Sequence, residues 1–207
     1  MTSRQTAPHV HSVVSVPAAA HSTMVDGNSL GNSSGLVYAM DLGLDCAFWY
    51  FFDPATSSLT NGTGGGDAGI ENFAFVTLGS GPRHMVLTNT TVGMVAHIIC
   101  EISSTIESFL VNGATGALVL RVGIVSTLPA TVEGSHKASE ILRSADGRFV
   151  YASTRGNVNG SNATAVFAVD QGSGSLSPVQ FVPSNGSYPR GMVLIGALGA
   201  PRLLVGG

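Results

Sequence analysis

The stretch Ala163-Thr-Ala-Val-Phe-Ala-Val-Asp-Gln-Gly-Ser-Gly-Ser-Leu176 contains the pattern that decides the fold. A run of apolar and β-branched residues is followed by a turn of Asp, Gly and Ser and then by a leucine. This order predicts a strand, a tight reversal and a second strand. Glycine at position 174 supplies the positive φ that such a reversal needs. The run Phe149-Val-Tyr-Ala-Ser153 predicts a further strand before it.

Two earlier stretches, 46–59 and 108–118, repeat this pattern of a β-rich run, a polar turn and a closing leucine. The closing leucines, Leu59, Leu118 and Leu176, lie 59 and 58 residues apart. Helical periodicity is almost absent from the chain. An all-strand repeat of this size predicts an all-β propeller or another repeated sheet, with blade-like units that end near these leucines.

A second marker, proline followed by a basic residue, stands before three of the units, at Pro8-His9, Pro82-Arg83 and Pro189-Arg190. The third unit instead carries Lys137-Ala-Ser-Glu-Ile at that place. One four-stranded blade cannot bury both of its faces, and stacking blades around an axis buries them against each other. We therefore expect residues 1–207 to form a single domain of stacked blades.

Composition excludes several classes of protein. The 207 residues are 44% hydrophobic and 10% charged, with a net charge of −3. A chain this apolar does not stay unfolded, and it lacks the basic stripe that a nucleic-acid partner requires. No stretch of about 20 apolar residues predicts a membrane span, and no targeting segment is visible, so we expect a cytoplasmic protein. The two cysteines, Cys46 and Cys100, are expected to be small buried hydrophobic residues.

Seven sequence words carry a resemblance to a known family. They are, in chain order, Pro8–His11, Asp41–Asp45, Gly81–His84, Cys100–Thr105, Ser126–Pro129, Asp146–Gly156 and Tyr188–Arg190. In this order they resemble the seven-bladed β-propeller lactonase family, which includes 6-phosphogluconolactonases and fungal carboxy-cis,cis-muconate cyclases. The resemblance covers roughly residues 7–206 and implies a propeller fold.

The chain departs from that family in two ways. Seven blades of about 45 residues need roughly 315 residues, so this chain can supply four to five blades of an incomplete propeller. The segment Thr88–Glu101 lacks the turn lysine and strand tyrosine of the family but retains the glutamate. Because an incomplete propeller has open sheet edges, we expect poor solubility or self-association through those edges.

Arginine is scarce in this chain, and three arginines stand in similar contexts. Arg83 follows a proline, Arg155 precedes a glycine, and Arg190 has both neighbours. At equivalent inner ends of successive blades they would converge on the axis and form an anion pocket for an acidic small molecule. The alternative for Arg83 is a salt bridge to a loop carboxylate.

His9 and His11 form a Pro-His-x-His motif on a predicted strand, where alternation places both side chains on one face. One interpretation is a proton-transfer or substrate-orienting residue near the central channel, and the other is a hydrogen-bonded, half-buried histidine. Zinc or copper would need a third and a fourth ligand nearby, and we predict no metal site. His84, in Gly81-Pro-Arg-His84, is the remaining motif histidine.

Two groups of acidic residues follow predicted strands. Glu101 is either solvated at the strand end or held beside the arginines, where it would stay ionised and act as general base or water orienter. Asp41 and Asp45 are expected to fix turns and neighbouring backbone amides. Asp41 is also kept as a candidate substrate-binding residue.

The resemblance implies a site for this chain. In the muconate cyclase branch, the motif residues fall on His9 or His11, Arg83, Glu101 and Arg155, and these are the candidate catalytic residues. His84, Arg190 and Asp41 are the candidate substrate-binding residues. No cofactor is implied.

Three functions stay open at this point. The first is hydrolysis of an acidic sugar lactone, as in 6-phosphogluconolactonases, with water activated by Glu101 or a histidine. The second is the muconate cyclase reaction, in which arginines clamp a dicarboxylate while a proton is delivered to carbon. The third is a non-catalytic, truncated propeller. The expected partner is therefore a small acidic lactone or dicarboxylate.

Overall fold

The computed structural model of the chain describes residues 5–16, 35–62, 72–157, 160, 162–195 and 202–206. Within these ranges the protein is all β, as the sequence predicts, and no helix is long and apolar enough to cross a membrane. The strands are β1 Val10–Val16, β2 Gly35–Asp41, β3 Cys46–Asp53, β4 Ser58–Asn61, β5 Phe73–Phe75, β6 Pro82–Thr90, β7 Gly93–Cys100, β8 Thr105–Val111, β9 Leu118–Ser126, β10 His136–Arg143, β11 Phe149–Gly156, β12 Ala163–Val169, β13 Leu176–Pro183, β14 Gly191–Ile195 and β15 Arg202–Gly206.

The strands form four antiparallel sheets in which sequence neighbours pair. The first sheet has the order β1-β2-β3-β4 with β5 beside β3, the second is β6-β7-β8-β9, the third is β10-β11-β12-β13, and the fourth is β14-β15. The first strands of successive sheets contact one another, β1 with β6, β6 with β10 and β10 with β14. The described sheets therefore form an incomplete propeller, as predicted, with three blades and half of a fourth, which is slightly fewer than the four to five blades expected.

The closing leucines mark the outermost strand of each blade. Leu59 is the second residue of β4, and Leu118 and Leu176 are the first residues of β9 and β13. The turns before the last two contain Gly116 and Gly174, which have φ values of 73° and 75°. The tight reversal read from the sequence thus joins the third and fourth strands of a blade.

Two apolar cores lie between successive blades. One includes Leu36 and Trp49 of the first blade, and the other includes Phe167 of the third. Strand β7 serves both, because its successive side chains point to opposite faces: Ile98 belongs to the first core and Ile99 to the second. Burial on both faces explains why the run 94–100 reads as almost continuously apolar.

Both cysteines lie in this packed interior, as predicted. Cys46 is 2% exposed and Cys100 is fully buried, and neither forms a disulfide. Burial raises the pKa of each thiol to about 12, with nearby carboxylates adding to the effect. These thiols are therefore neutral and unreactive at physiological pH.

A buried histidine in β7 makes the stability of the second blade sensitive to acid. His97 is fully buried between the hydroxyls of Thr88 and Ser108, each 2.8 Å from a ring nitrogen. Burial lowers its pKa from 6.5 to about 4. The unfolded chain binds this proton below about pH 6.5 and the folded protein does not, so stability falls as the pH drops from 6.5 towards 4.

When the pH falls from 7 to 4.5, wild type should lose about 2–3 kcal/mol more stability than His97→Gln, because glutamine does not bind a proton. Urea unfolding at a series of pH values measures this difference. The same change at exposed His9 controls for the loss of an imidazole. Curves for wild type and His97→Gln that stay parallel across this range would show that the buried ring does not titrate between folded and unfolded states.

Candidate functional site

The first strands of three successive blades are each irregular near their start. The pairing register shifts between Val10 and Ser12 in β1, between Pro82 and His84 in β6, and between Ala138 and Ile141 in β10. The residues inside these shifts are His11, Arg83 and the pair Ser139–Glu140. A bulge takes a residue out of the ladder and re-aims its side chain. The three bulges therefore present polar side chains at the same end of neighbouring inner strands.

A buried ion cluster lies at this end of the blades. Glu101, directly after β7, is fully buried, and Arg83 and Arg155 are each 2% exposed. Oε2 of Glu101 accepts a hydrogen bond from Arg83 Nε at 3.1 Å and another from Arg155 Nη2 at 3.3 Å. Lys137 Nζ lies 3.7 Å from Oε1. One carboxylate thus holds three cations from two blades.

Ser139 connects the cluster to the fourth sheet. Its backbone carbonyl accepts a hydrogen bond from Arg83 Nη1, and its hydroxyl accepts one from Arg155 Nη1 at 3.0 Å. The same hydroxyl donates to the carbonyl of Arg190 at 2.9 Å. Residues of three sheets are therefore tied together at one point, which fixes the positions of both buried guanidinium groups.

The charge of the cluster is dominated by its cations. Burial and the neighbouring Arg155 lower the pKa of Arg83, whereas Glu101 and Glu140 oppose this shift. A guanidinium stays charged in proteins in spite of such shifts. Because buried charges are screened less than exposed ones, the surplus positive charge acts strongly on any group placed over the cluster.

Two histidine rings border the cluster. The rings of His11 and His84 are 5.1 Å apart between centroids and tilted by 58°. Burial lowers the pKa of His11 to about 4, with Arg83 and His84 adding to the shift. His84 Nδ1 is 2.5 Å from Glu140 Oε1, and its Nε2 is 3.1 Å from Arg83 Nη1.

An aromatic ring covers the far side of the cluster. The Arg155 guanidinium carbon lies 5.4 Å from the centroid of the Tyr188 ring, a distance that allows a cation–π contact. Tyr188 has a φ of 58°, which is strained for a bulky residue, and the side-chain oxygen of Asn162 accepts a hydrogen bond from its backbone N–H at 3.0 Å. Strained backbone conformations of this kind cluster at active sites and ligand-binding sites, where the surrounding structure holds them.

A cavity of about 550 Å³ opens beside this edge of the cluster. It is lined by residues that include Gly156, which follows Arg155, and Ser187, which precedes Tyr188. The remaining lining residues are mainly asparagine and glycine. A cavity of this size is within the range that binds small molecules.

The structure brings most of the predicted residues together, but burial changes what they can do. Arg83, Glu101 and Arg155 form the core of the cluster, and His11, His84 and Arg190 border it. Glu101 is fully buried and held by cations. A carboxylate in that position does not meet water, so the expected role of general base does not fit its placement.

Two predicted residues take positions outside the cluster. His9 is exposed and precedes β1, because the strand begins at Val10 and the bulge removes the simple alternation that would align His9 with His11. Asp41 Oδ1 accepts hydrogen bonds from the backbone N–H groups of His9, Gly43 and Leu44. This carboxylate therefore stabilises a turn rather than facing a substrate.

Four residues of the cluster were missed by sequence reasoning, namely Lys137, Ser139, Glu140 and Tyr188. The signal for three of them was present, because Lys137-Ala-Ser-Glu140 stands where the other units carry proline and a basic residue. The segment Lys137–Glu140 is the equivalent start of an inner strand, with Lys137 in place of the arginine of the other units. Tyr188 stands next to the Pro189-Arg190 marker but has no counterpart in the other units.

Comparison with known proteins agrees with this architecture. Residues 1–197 match the family described as Lactonase, 7-bladed beta-propeller. The 6-phosphogluconolactonase of Bacillus subtilis is 30% identical over 157 residues, which are 76% of this chain and 40% of that protein.

Solved structures give the same picture. The periplasmic gluconolactonase of Pseudomonas aeruginosa superimposes with a TM-score of 0.70 at 30% identity, over 93% of this chain and 46% of that chain. A protein from Lactobacillus plantarum gives 0.73 at 29% identity, over 94% and 47% of the two chains. The chain thus spans about half the length of these relatives. In sequence and in blade architecture, it belongs to the seven-bladed β-propeller lactonase family.

Proposed function

We propose that this chain carries the anion-binding and water-activating part of an enzyme that hydrolyses a sugar lactone bearing a phosphate or carboxylate group. The observation that supports this most is the buried cluster in which Glu101 is shared by Arg83, Arg155 and Lys137. Positive charge beyond what the carboxylates of Glu101 and Glu140 neutralise favours an anionic ligand. The relatives from Bacillus subtilis and Pseudomonas aeruginosa, a 6-phosphogluconolactonase and a gluconolactonase, support a lactone as the substrate class.

Of the three arginines expected to bind the substrate, Arg190 meets solvent, and Lys137 meets it as well. Arg83 and Arg155 are buried, whereas the Lys137 side chain is 34% exposed and Arg190 is exposed. We assign contact with the anionic group of the substrate to Lys137 and Arg190. The two buried arginines add an electrostatic field from beneath, and Glu101 holds them in place.

The chemistry follows from this arrangement. Water attacks the carbonyl carbon of the lactone, an imidazole takes a proton from the water, and negative charge develops on the carbonyl oxygen. Nearby fixed cations stabilise that charge more in the transition state than in the ground state. The ring C–O bond then breaks, and the alkoxide takes the proton back, which gives the hydroxy acid.

The test is a hydrolysis assay with 6-phosphogluconolactone and the uncharged gluconolactone. We expect the purified chain to hydrolyse the phosphorylated lactone with the higher kcat/KM. Lys137→Gln and Arg190→Gln should each lower kcat/KM for the phosphorylated substrate by about tenfold, equivalent to about 1.4 kcal/mol, with little effect on gluconolactone.

Arg202→Gln is the matched control for this assay. Arg202 is exposed and pairs with Ile195, at the opposite end of β14 from Arg190. Equal losses on the charged and uncharged lactones would contradict an anion site at Lys137 and Arg190. Turnover of carboxymuconate alone would favour the cyclase reaction, and no turnover of any substrate would favour the non-catalytic propeller.

Two further expectations from the sequence stay predictions. Self-association is consistent with the fourth sheet, where β15 has β14 as its one partner among the described strands and Val193, Ile195 and Leu204 are 43–53% exposed. Gel filtration tests it, and a clean monomer would contradict it. The cytoplasmic location is tested by cell fractionation, since one relative is a periplasmic gluconolactonase.

A further inference from the structure

His84 contacts charged side chains from two different strands. Its Nδ1 lies 2.5 Å from Glu140 Oε1, and its Nε2 lies 3.1 Å from Arg83 Nη1. Glu140 is itself fixed, because the same Oε1 accepts a hydrogen bond from the backbone N–H of Ile141 at 3.1 Å and its own N–H donates to Ser153 Oγ at 3.0 Å. The imidazole therefore has a defined orientation.

The contact with Glu140 determines which ring nitrogen of His84 carries a proton. Arg83 Nη1 lies 3.1 Å from Nε2 and 3.5 Å from Nδ1 of His84, so the guanidinium stands against the ring and not along the lone pair of either nitrogen. An ionised carboxylate has acceptors and no donor, so Nδ1 donates to Glu140. The bond to Glu140 thus places a proton on Nδ1 and leaves Nε2 as the nitrogen that can exchange a proton with a substrate.

The other candidate bases are less well placed. Glu101 is fully buried beneath three cations. Nδ1 of His11 is buried without a hydrogen-bond partner among the described residues, so no hydrogen-bonded carboxylate orients this ring. His84 has such a carboxylate, and its side chain is 23% exposed to solvent.

We propose that His84 is the general base of the lactone hydrolysis and that Glu140 is the residue that positions it. The proposal rests on the proposed function and names the proton acceptor within it. Arg83 Nη1 donates to the Ser139 carbonyl and lies 3.1 Å from His84 Nε2, so the proposed base stands directly beside the cationic cluster.

The proton balance of the step is complete. Water forms a bond from its oxygen to the lactone carbonyl carbon while one proton passes to Nε2 of His84. The resulting imidazolium keeps its Nδ1 proton on Glu140. When the ring C–O bond breaks, the imidazolium returns the Nε2 proton to the leaving alkoxide, and His84 is again neutral. No oxidant, metal or second substrate enters the step.

The first test is kinetic. We expect His84→Ala to lower kcat for 6-phosphogluconolactone by about 10²–10⁴-fold with little change in KM, because a general base acts in the transition state. Imidazole added to the assay should restore part of kcat in His84→Ala. Glu140→Gln should lower kcat by about tenfold or more, and Glu140→Asp should recover part of that loss. His136→Ala, which removes a half-buried imidazole bonded to Ser104, is the matched control.

The second test does not depend on turnover. Nitrogen-15 NMR of the histidine side chains should show His84 of the wild-type chain protonated on Nδ1, with a strongly downfield N–H resonance. In Glu140→Gln that resonance should move upfield or vanish by exchange with water. A His84 proton on Nε2 would overturn the proposed orientation whether or not the protein is active.

The outcomes separate this proposal from the function on which it rests. If wild type hydrolyses the lactone and a folded His84→Ala variant has the same kcat, His84 is not the base. The proposed lactonase function would be unaffected by that result. A larger loss in His11→Ala than in His84→Ala would move the base to His11. Wild type without activity on any lactone would overturn the proposed function itself.

Discussion

Glu101→Gln is expected to lower the free energy of unfolding by about 3–5 kcal/mol, which is the cost of breaking a buried ion pair by removing one partner. The variant keeps the shape of the side chain but leaves Arg83 and Arg155, each 2% exposed, without the shared negative charge. The two guanidinium groups would then repel each other in a site with little solvent. Urea unfolding at neutral pH measures the change.

Glu133→Gln is the control for this experiment, because Glu133 is exposed and a surface change of this kind usually alters stability by less than about 0.5 kcal/mol. A Glu101→Gln variant as stable as wild type that has lost its activity would contradict the holding role. That result would instead return Glu101 to the role of general base that its sequence motif suggested.

A comparably large effect is expected at the repeated turn glycines. In Gly116→Ala the new Cβ would lie 2.5 Å from Leu36 Cδ2, and in Gly174→Ala it would lie 2.5 Å from Val95 Cγ2. Both glycines also have a positive φ, which costs another residue about 1–2 kcal/mol. Together with an overpacking cost of about 1–3 kcal/mol, each variant should lose about 2–5 kcal/mol of stability.

Gly79→Ala separates the two contributions. Gly79 has a φ of 84°, but no atom lies within 4 Å of the position a Cβ would take. This variant should therefore show only the conformational cost, about 1–2 kcal/mol. If thermal or urea unfolding gave equal losses for Gly79→Ala and Gly116→Ala, the turn glycine would be needed for its backbone conformation and not for the packing of one blade on the next.

These glycines also explain why the fold could be predicted from the sequence. The turn needs a positive φ, and at positions 116 and 174 it must also let the preceding blade pack closely, so glycine recurs at a fixed place before the closing leucine. The first unit has Ser57 there, with a φ of 54° on an exposed turn. The repeat can be recognised in the sequence because two of the turns meet the same conformational and packing requirement with glycine.

The sequence predicts which residues form the site better than it predicts what each of them does. Residue types and motif order identified Arg83, Glu101 and Arg155, but their depth below the surface depends on how three blades meet. Burial assigns solvent contact to Lys137 instead. The link between Glu140 and His84 joins residues 56 positions apart in sequence, and no local pattern encodes it.

Strand bulges account for the remaining error. Alternation along a regular strand predicted that His9 and His11 share a face. The register shift between Val10 and Ser12 changes that relation, and the strand begins only at Val10. Similar shifts at Arg83 and at Ser139–Glu140 show that irregularity at the start of an inner strand is how this protein presents its polar groups.

Calorimetric titration with 6-phosphogluconate, the product of the proposed reaction, tests most directly whether the ends of the inner strands form an anion site. Wild type should bind this acid more tightly than gluconate, with an affinity that weakens as salt is added. The double variant Lys137→Gln/Arg190→Gln should bind it at least about tenfold more weakly, which corresponds to about 1.4 kcal/mol. Equal affinity of wild type and double variant, or of the phosphorylated and unphosphorylated acids, would contradict the account.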